Sequence, residues 1–186
     1  MRKLKLQIQQ TVNGFVGGPK GEMDWMNWEM GSDSIKYVMD LHEEVDCIVM
    51  GRKLAEGFIP YWANEVNNPR SPQLDFARKM NDTPKVVFSK TLDKSQWENA
   101  QLAKGDLVEA INELKNRPGG DIIVYGGATF VSNLIHEGLI DEFHLVINPT
   151  AIGNGLTIFK QTTRLKLVKA VQLSTGKVVL HYEPLQ

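Results

Sequence analysis

The chain has 186 residues, 42% of them hydrophobic and 23% charged, with 21 Lys plus Arg against 22 Asp plus Glu. That length predicts one domain over 1–186, and that mixture excludes a disordered tail, a fibre and a coiled coil. A net charge of −1 argues against a dedicated nucleic-acid binder, and one cysteine, Cys47, excludes an internal disulfide and a Cys-rich zinc site.

In chain order, residues 3–10 alternate: Leu4, Leu6 and Ile8 fall on one side and Lys3, Lys5, Gln7 and Gln9 on the other. That is a period-two strand. The turn formers of 11–19 end it. Ser32 and Asp33 can cap a helix over 35–44. The apolar run 46–50 reads as a strand covered on both faces, with Gly51-Arg52-Lys53 at its carboxyl end. Residues 54–70 are aromatic and polar and give no clear element. Ser71-Pro72 reads as a cap and a first-turn proline for a helix to about Met80. Short strands are expected at 85–89 and 97–102.

The Asp106 to Glu109 spacing predicts a capping box for a helix through Asn116, ended by Pro118-Gly119-Gly120. A strand over 121–125 runs into Gly126-Gly127, a helix over 128–137 closes with Gly138, and a strand over 142–147 stops at Asn148-Pro149. Two strands, 165–174 and 177–183, flank Thr175-Gly176, which leaves room for a tight hairpin. About eight strands alternate with four helices. The expected fold is α/β, a mainly parallel sheet with helices on both faces and an antiparallel hairpin at one edge. No apolar stretch follows the basic start as in a signal peptide. No run approaches the ~20 apolar residues of a membrane span. The expected location is the cytoplasm, with neither membrane nor nucleic-acid partner.

In an open α/β sheet, ligands bind beyond the carboxyl ends of the strands. Three such ends carry distinctive residues. Tyr125-Gly126-Gly127-Ala128-Thr129 joins strand to helix, where glycine admits a close backbone approach and free N–H groups attract an anion. A plain tight turn accounts for the same residues, and the spacing is not GxGxxG. Arg52-Lys53 offers a planar fork and a point charge for phosphate, and Ser89-Lys90 repeats the theme. Solvated loop charges are the alternative. The segment 11–28, with Gly14, Gly17, Gly18, Gly21, Trp25 and Trp28, suits a flap over a flat ring or a loop with its own small core. The four histidines form no HxH or HExxH pair, so no metal site is expected; GxSxG and P-loop motifs are absent.

The ordered set 11–16, 50–53, 87–90, 123–128, 138–142 and 152–155 resembles the dihydrofolate reductase superfamily. Within it, the chain is most similar to the reductase domain of the bifunctional riboflavin-biosynthesis deaminase–reductase and its stand-alone relatives. The resemblance implies a three-layer sandwich around an eight-stranded, mostly parallel sheet. It also implies NADPH as cofactor. By that match Gly51, Arg52 and Lys53 meet adenosine-side phosphates, and Ser89 and Lys90 the 2′-phosphate region. Gly126, Gly127, Ala128 and Thr129 lie against the pyrophosphate and nicotinamide side, and Val16 and Gly17 cover the nicotinamide.

Gln9, Thr11, Asn13, Trp25, Glu29 and Tyr125 are the candidate substrate-side residues. Asn13 stands where the riboflavin reductases usually carry an acid, and Leu54 where they carry threonine. The deaminase zinc motif is absent. The implied activity is hydride transfer from NADPH to a small heterocyclic or imine-like substrate, of which a ribosylaminopyrimidine phosphate is one. A pterin or dihydrofolate reductase, or a nucleotide-binding module without turnover, are the alternatives. The apolar C-terminal strands suit a homodimer interface or the inner face of an edge hairpin.

Overall fold

The computed structural model describes residues 1–185. The N-terminal alternation folds as β1 (Leu4–Thr11), followed by α1 (Ser32–Leu41), β2 (Val45–Gly51), α2 (Arg52–Glu65) and α3 (Leu74–Asp82). Then come β3 (Lys85–Phe88), β4 (Ala100–Ala103), α4 (Leu107–Asn116), β5 (Asp121–Val124) and α5 (Ala128–His136). The chain ends with β6 (Glu142–Asn148), β7 (Leu165–Gln172) and β8 (Val178–Pro184). One eight-stranded sheet has the order β4-β3-β2-β5-β1-β6-β8-β7. β1 to β6 pair in parallel, whereas β8 is antiparallel to both β6 and β7.

The pleat sends alternate residues to opposite faces, and the helices divide accordingly. Leu4, Leu6, Ile8, Cys47, Val49, Ile122 and Val124 pack with Ile111 and Leu114 of α4 and Val131, Leu134 and Ile135 of α5. Ile48, Met50, Val87 and Ile123 pack on the other face with Val38 and Leu41 of α1, Ile59 and Trp62 of α2, and Phe76 and Met80 of α3. The result is a three-layer α/β sandwich. Burying two such apolar layers at roughly 25 cal/mol per Å² is the main term holding it together.

Several expected boundaries move. Residues 54–70, which gave no clear element, contain most of α2. Pro60 lies inside that helix and removes one backbone bond. The helix persists because Ala55, Ile59 and Trp62 recur on one buried face, with the Trp62 and Phe76 rings edge-to-face at 5.1 Å. The Ser71-Pro72 start is corrected: α3 begins at Leu74, and Ser71 Oγ accepts the Gln73 N–H at 3.2 Å within the preceding turn. β4 begins at Ala100 rather than Trp97, after Asn99 takes a positive φ of 53°. The expected cap at α4 forms, Asp106 accepting from Val108 and Glu109 N–H groups.

The C-terminal hairpin turns through Ser174-Thr175-Gly176, with the Leu173 N–H on the Lys177 carbonyl at 2.9 Å and Gly176 at φ 83°. That is the three-residue loop with a left-handed glycine. β7 forms the outer edge and exposes Leu167 and Val168 between Lys166 and Lys169. Among the described residues no helix is long and apolar enough to cross a membrane.

Candidate functional site

The carboxyl ends of β3, β2, β5, β1 and β6 are consecutive along the sheet. The helices following β1 and β2 pack on one face, while α5, which follows β5, packs on the other. Neighbouring connections part in this way at Gly126-Gly127, the arrangement that opens a ligand crevice in sheets of this kind. The segments Ser89-Lys90, Gly51-Lys53, Gly126-Thr129 and Thr11-Gly17 leave four adjacent strands and share one rim. Three spacings of about 4.8 Å put its ends roughly 14 Å apart.

Glycine shapes the middle of the rim. Gly126 has φ 156° and Gly127 φ 81°, joined by a trans peptide. Gly126 is buried, and a Cβ there would sit in ordinary contact with Ile8 at 3.9 Å and Leu54 at 4.0 Å, whereas Gly127 is exposed. Gly51 packs tightly, since a Cβ there would lie 3.3 Å from Phe130 Cβ on α5. Gly51 and Gly127 are the N-caps of α2 and α5, and neither helix has a side-chain cap. The amides of Arg52, Lys53, Ala128 and Thr129 therefore point out of the helix starts without intrahelical partners. Thr129 is exposed.

The flanking cations differ in availability. The Arg52 guanidinium pairs with Glu56 one turn on, whereas exposed Lys53 and Lys90 have no ion pair among the described residues. Ser89 is buried, and its Oγ accepts the N–H groups of Thr91 at 3.2 Å and Leu92 at 3.0 Å. That fixes the loop carrying Lys90.

The loop after β1 is framed by its own polar groups. Thr11 is fully buried; its hydroxyl donates to Asn13 Oδ1 at 2.8 Å and accepts the Phe15 N–H at 2.9 Å. Asn13 Nδ2 donates to the Ile152 carbonyl at 2.7 Å. Val16 N–H donates to the Leu156 carbonyl, and Leu156 N–H to the Gly17 carbonyl, both at 2.8 Å. Thr11 and Asn13, expected beside a substrate, are engaged in holding two loops together. Trp25 is buried with its indole N–H on the Glu22 carbonyl at 3.1 Å, while Trp28 is exposed, so the expected aromatic cluster is split. The Glu29 side chain is exposed, and its carbonyl accepts from Lys177 Nζ at 3.0 Å.

Tyr125 requires a correction of direction. Its hydroxyl donates to His42 Nε2 beneath α1, and the His42 Nδ1–H donates to the Val38 carbonyl. The ring packs against Phe58. The Tyr125 hydroxyl is thus turned into the core rather than offered to the crevice. Burial lowers the His42 pKa from 6.5 to about 4, so the ring stays neutral there.

Residues missed in the sequence lie on the sheet face under α1. Fully buried Asn148, at the end of β6, donates from Nδ2 to Gln9 Oε1 at 2.8 Å and accepts the Asn27 N–H at 3.3 Å. Gln7 Oε1 on β1 and Ser34 Oγ on α1 are buried without a hydrogen-bond partner. At the other end of β6, Glu142, His144 and His181 cluster. Hydrogen bonds from His144 and Lys3, against the opposing effect of burial, hold the Glu142 carboxyl at about 2. Single-residue spacing carries no signal for these groups, because strand pairing assembles them. A shallow depression at the opposite ends of the strands, lined by Arg2, Glu44, Lys115 and Gly119, is bordered by the Arg2–Asp46 and Lys115–Asp141 pairs.

The model of the RibD C-terminal domain family matches residues 2–179. The uncharacterized protein YyaP of Bacillus subtilis (strain 168) is 32% identical over 189 aligned positions, covering 97% of this chain and 94% of that one. A Shewanella sp. PV-4 crystal structure described as a riboflavin biosynthesis protein superposes over the whole of both chains, with TM-score 0.76 and 21% identity. The Thermotoga maritima diaminohydroxyphosphoribosylaminopyrimidine deaminase/5-amino-6-(5-phosphoribosylamino)uracil reductase superposes with TM-score 0.69 at 16% identity, over 99% of this chain and 57% of that one. These two structural likenesses establish a shared fold.

Proposed function

This chain belongs to the RibD C-terminal domain family, of riboflavin-biosynthesis reductase-like proteins, and from that premise we propose that it is an NADPH-dependent reductase of a small heterocyclic or imine-like substrate. The observation that carries the reading is the shared rim. Four adjacent strands deliver a glycine pair, two uncapped helix starts and the cations Lys53 and Lys90 to one edge. This donor set fits a dinucleotide carrying an extra phosphate: helix-start amides and the exposed Gly127 backbone for the diphosphate, cations for the remaining charge.

Gly126, Gly127, Ala128 and Thr129 would hold the diphosphate. Gly51, Arg52, Lys53, Ser89 and Lys90 would hold the adenosine side. Val16 and Gly17 would border the nicotinamide and keep water from it. Bound NADPH supplies the hydride. The chain would position the acceptor through half-buried Gln9, whose Oε1 accepts from Asn148 Nδ2. A side-chain amide orients a ring without releasing a proton at neutral pH. We therefore assign the proton that accompanies reduction to solvent. Among substrate classes, ribosylaminopyrimidine phosphates rank first, because the family is that of RibD.

Titration with NADPH, read by fluorescence of the four tryptophans, should give saturable quenching in the micromolar to millimolar range usual for such sites. Oxidation of NADPH should follow with a pterin or ribosylaminopyrimidine phosphate. Absence of quenching would overturn the assignment. The internal engagement of Thr11 and Asn13 favours a second reading, a nucleotide-binding module. Quenching by NADPH without oxidation across that panel is its signature.

A further inference from the structure

We infer that Glu142, His144 and His181 form a binding site for a divalent transition-metal ion of the zinc class, separate from the dinucleotide rim. Antiparallel pairing of β6 and β8 sets His144 directly opposite His181, and the two rings stack with centroids 4.3 Å apart. Glu142 precedes His144 by two residues, so the pleat puts it on the same face. Its Oε2 lies 3.3 Å from His144 Nε2 and 3.7 Å from His181 Nε2. All three donor atoms fall within 4.8 Å of one another.

Tetrahedral zinc with bonds of about 2.0–2.1 Å requires its ligand atoms roughly 3.3 Å apart. The two glutamate–histidine edges are already close to that figure. The histidine–histidine edge closes by swinging the rings out of their stack. Two imidazoles and a carboxylate suit zinc, cobalt, nickel or copper, and not magnesium or calcium. Three protein ligands leave a fourth position for water.

Two observations favour a metal over a plain hydrogen-bonded trio. First, His181 Nε2 is buried with no hydrogen-bond partner, which a plain hydrogen-bonded trio leaves unexplained. Second, the outer contacts are those of a ligand set. His144 Nδ1 meets the Tyr37 hydroxyl at 2.7 Å; when a metal displaces the Nε2–H that bonds Glu142, an Nδ1–H donated to Tyr37 would hold the tautomer whose Nε2 lone pair faces the ion. Glu142 Oε1 accepts from Lys3 Nζ at 2.6 Å, leaving Oε2 for the ion. The Lys3 side chain is half exposed and free to withdraw. Glu142 and Asn148 bound β6 at opposite ends, roughly 20 Å apart along the strand. An ion here would fasten β6 to β8, away from the nucleotide.

The test uses the full chain stripped with a chelator and titrated with Co²⁺, whose tetrahedral complexes absorb strongly in the visible. One equivalent should give an intense visible band that Zn²⁺ abolishes, and Zn²⁺ should raise the melting temperature. His181→Gln and Glu142→Gln should each remove both responses, while His136→Gln, at the exposed histidine of α5, should keep them. Tyr37→Phe should weaken binding by about 10- to 100-fold, as expected for an outer-shell partner. A weak octahedral-type spectrum, or an intense band that survives in folded His181→Gln and Glu142→Gln, would overturn the site. NADPH binding is measured separately and stands or falls on its own.

Discussion

Gly155→Ala tests whether the loop after β1 is fixed in place by the segment 152–157. An ideal Cβ at 155 would lie 2.3 Å from the Gly17 carbonyl oxygen, and 3.1 Å from both the Ile152 and Phe15 side chains. The nearest atom is backbone, so the two loops must part by about 1 Å to regain ordinary contact. Parting breaks the Val16–Leu156 and Leu156–Gly17 hydrogen bonds. At about 1 kcal/mol each, the loss is roughly 2 kcal/mol. For a chain of this size that is a fall in Tm of about 4–8 °C.

Gly153→Ala is the control, because nothing lies within 4 Å of a Cβ there, and its effect should stay within about 0.5 kcal/mol. Scanning calorimetry of the two variants beside the parent reads the difference. Since Val16 and Gly17 are proposed to border the nicotinamide, Gly155→Ala should also weaken NADPH by about tenfold, or 1.4 kcal/mol. Equal Tm values for parent and Gly155→Ala would refute the steric argument. A lowered Tm with unchanged NADPH affinity would refute the placement of the loop over the cofactor.

Gly127→Ala should cost about 1–2 kcal/mol in chemical denaturation, because φ 81° is left-handed backbone and not because of crowding, the nearest Cβ contact being 3.6 Å; a neutral result would contradict that conformation. Lys53→Ala should weaken NADPH by about 1.5–3 kcal/mol and leave NADH unchanged, whereas equal losses for both cofactors would remove Lys53 from the extra phosphate. His42 takes up no proton in the folded chain until about pH 4, against 6.5 when unfolded. The unfolded chain therefore holds more protons between those values, so stability is complete above 6.5 and falls as pH drops toward 4. The gap corresponds to roughly 3 kcal/mol, read as the difference in pH slope between the parent and His42→Gln; parallel slopes would refute it. Tyr125→Phe removes the donor to His42 Nε2 and should cost about 1–3 kcal/mol, with NADPH affinity unchanged.

The sheet and its order of helices were legible in the chain because their causes are local. Alternation over 3–10, the apolar run 46–50 and the Asp106–Glu109 cap each state a backbone conformation within a few residues. The glycine pair at 126–127 was equally legible, since only glycine takes those dihedrals without strain. Local cues misled where tertiary burial outweighed them: α2 forms through Pro60 because Ile59 and Trp62 find a core. They were silent where one group has several possible partners. Thr11, Asn13 and Tyr125 carry the same hydrogen-bonding atoms in any conformation, and only the packed chain decides that these are spent on Phe15, Ile152 and His42. His144 and His181 are distant in sequence and become neighbours through strand register alone. Conformational preference is a property of a short segment, whereas the engagement of a lone pair depends on atoms brought from elsewhere in the chain.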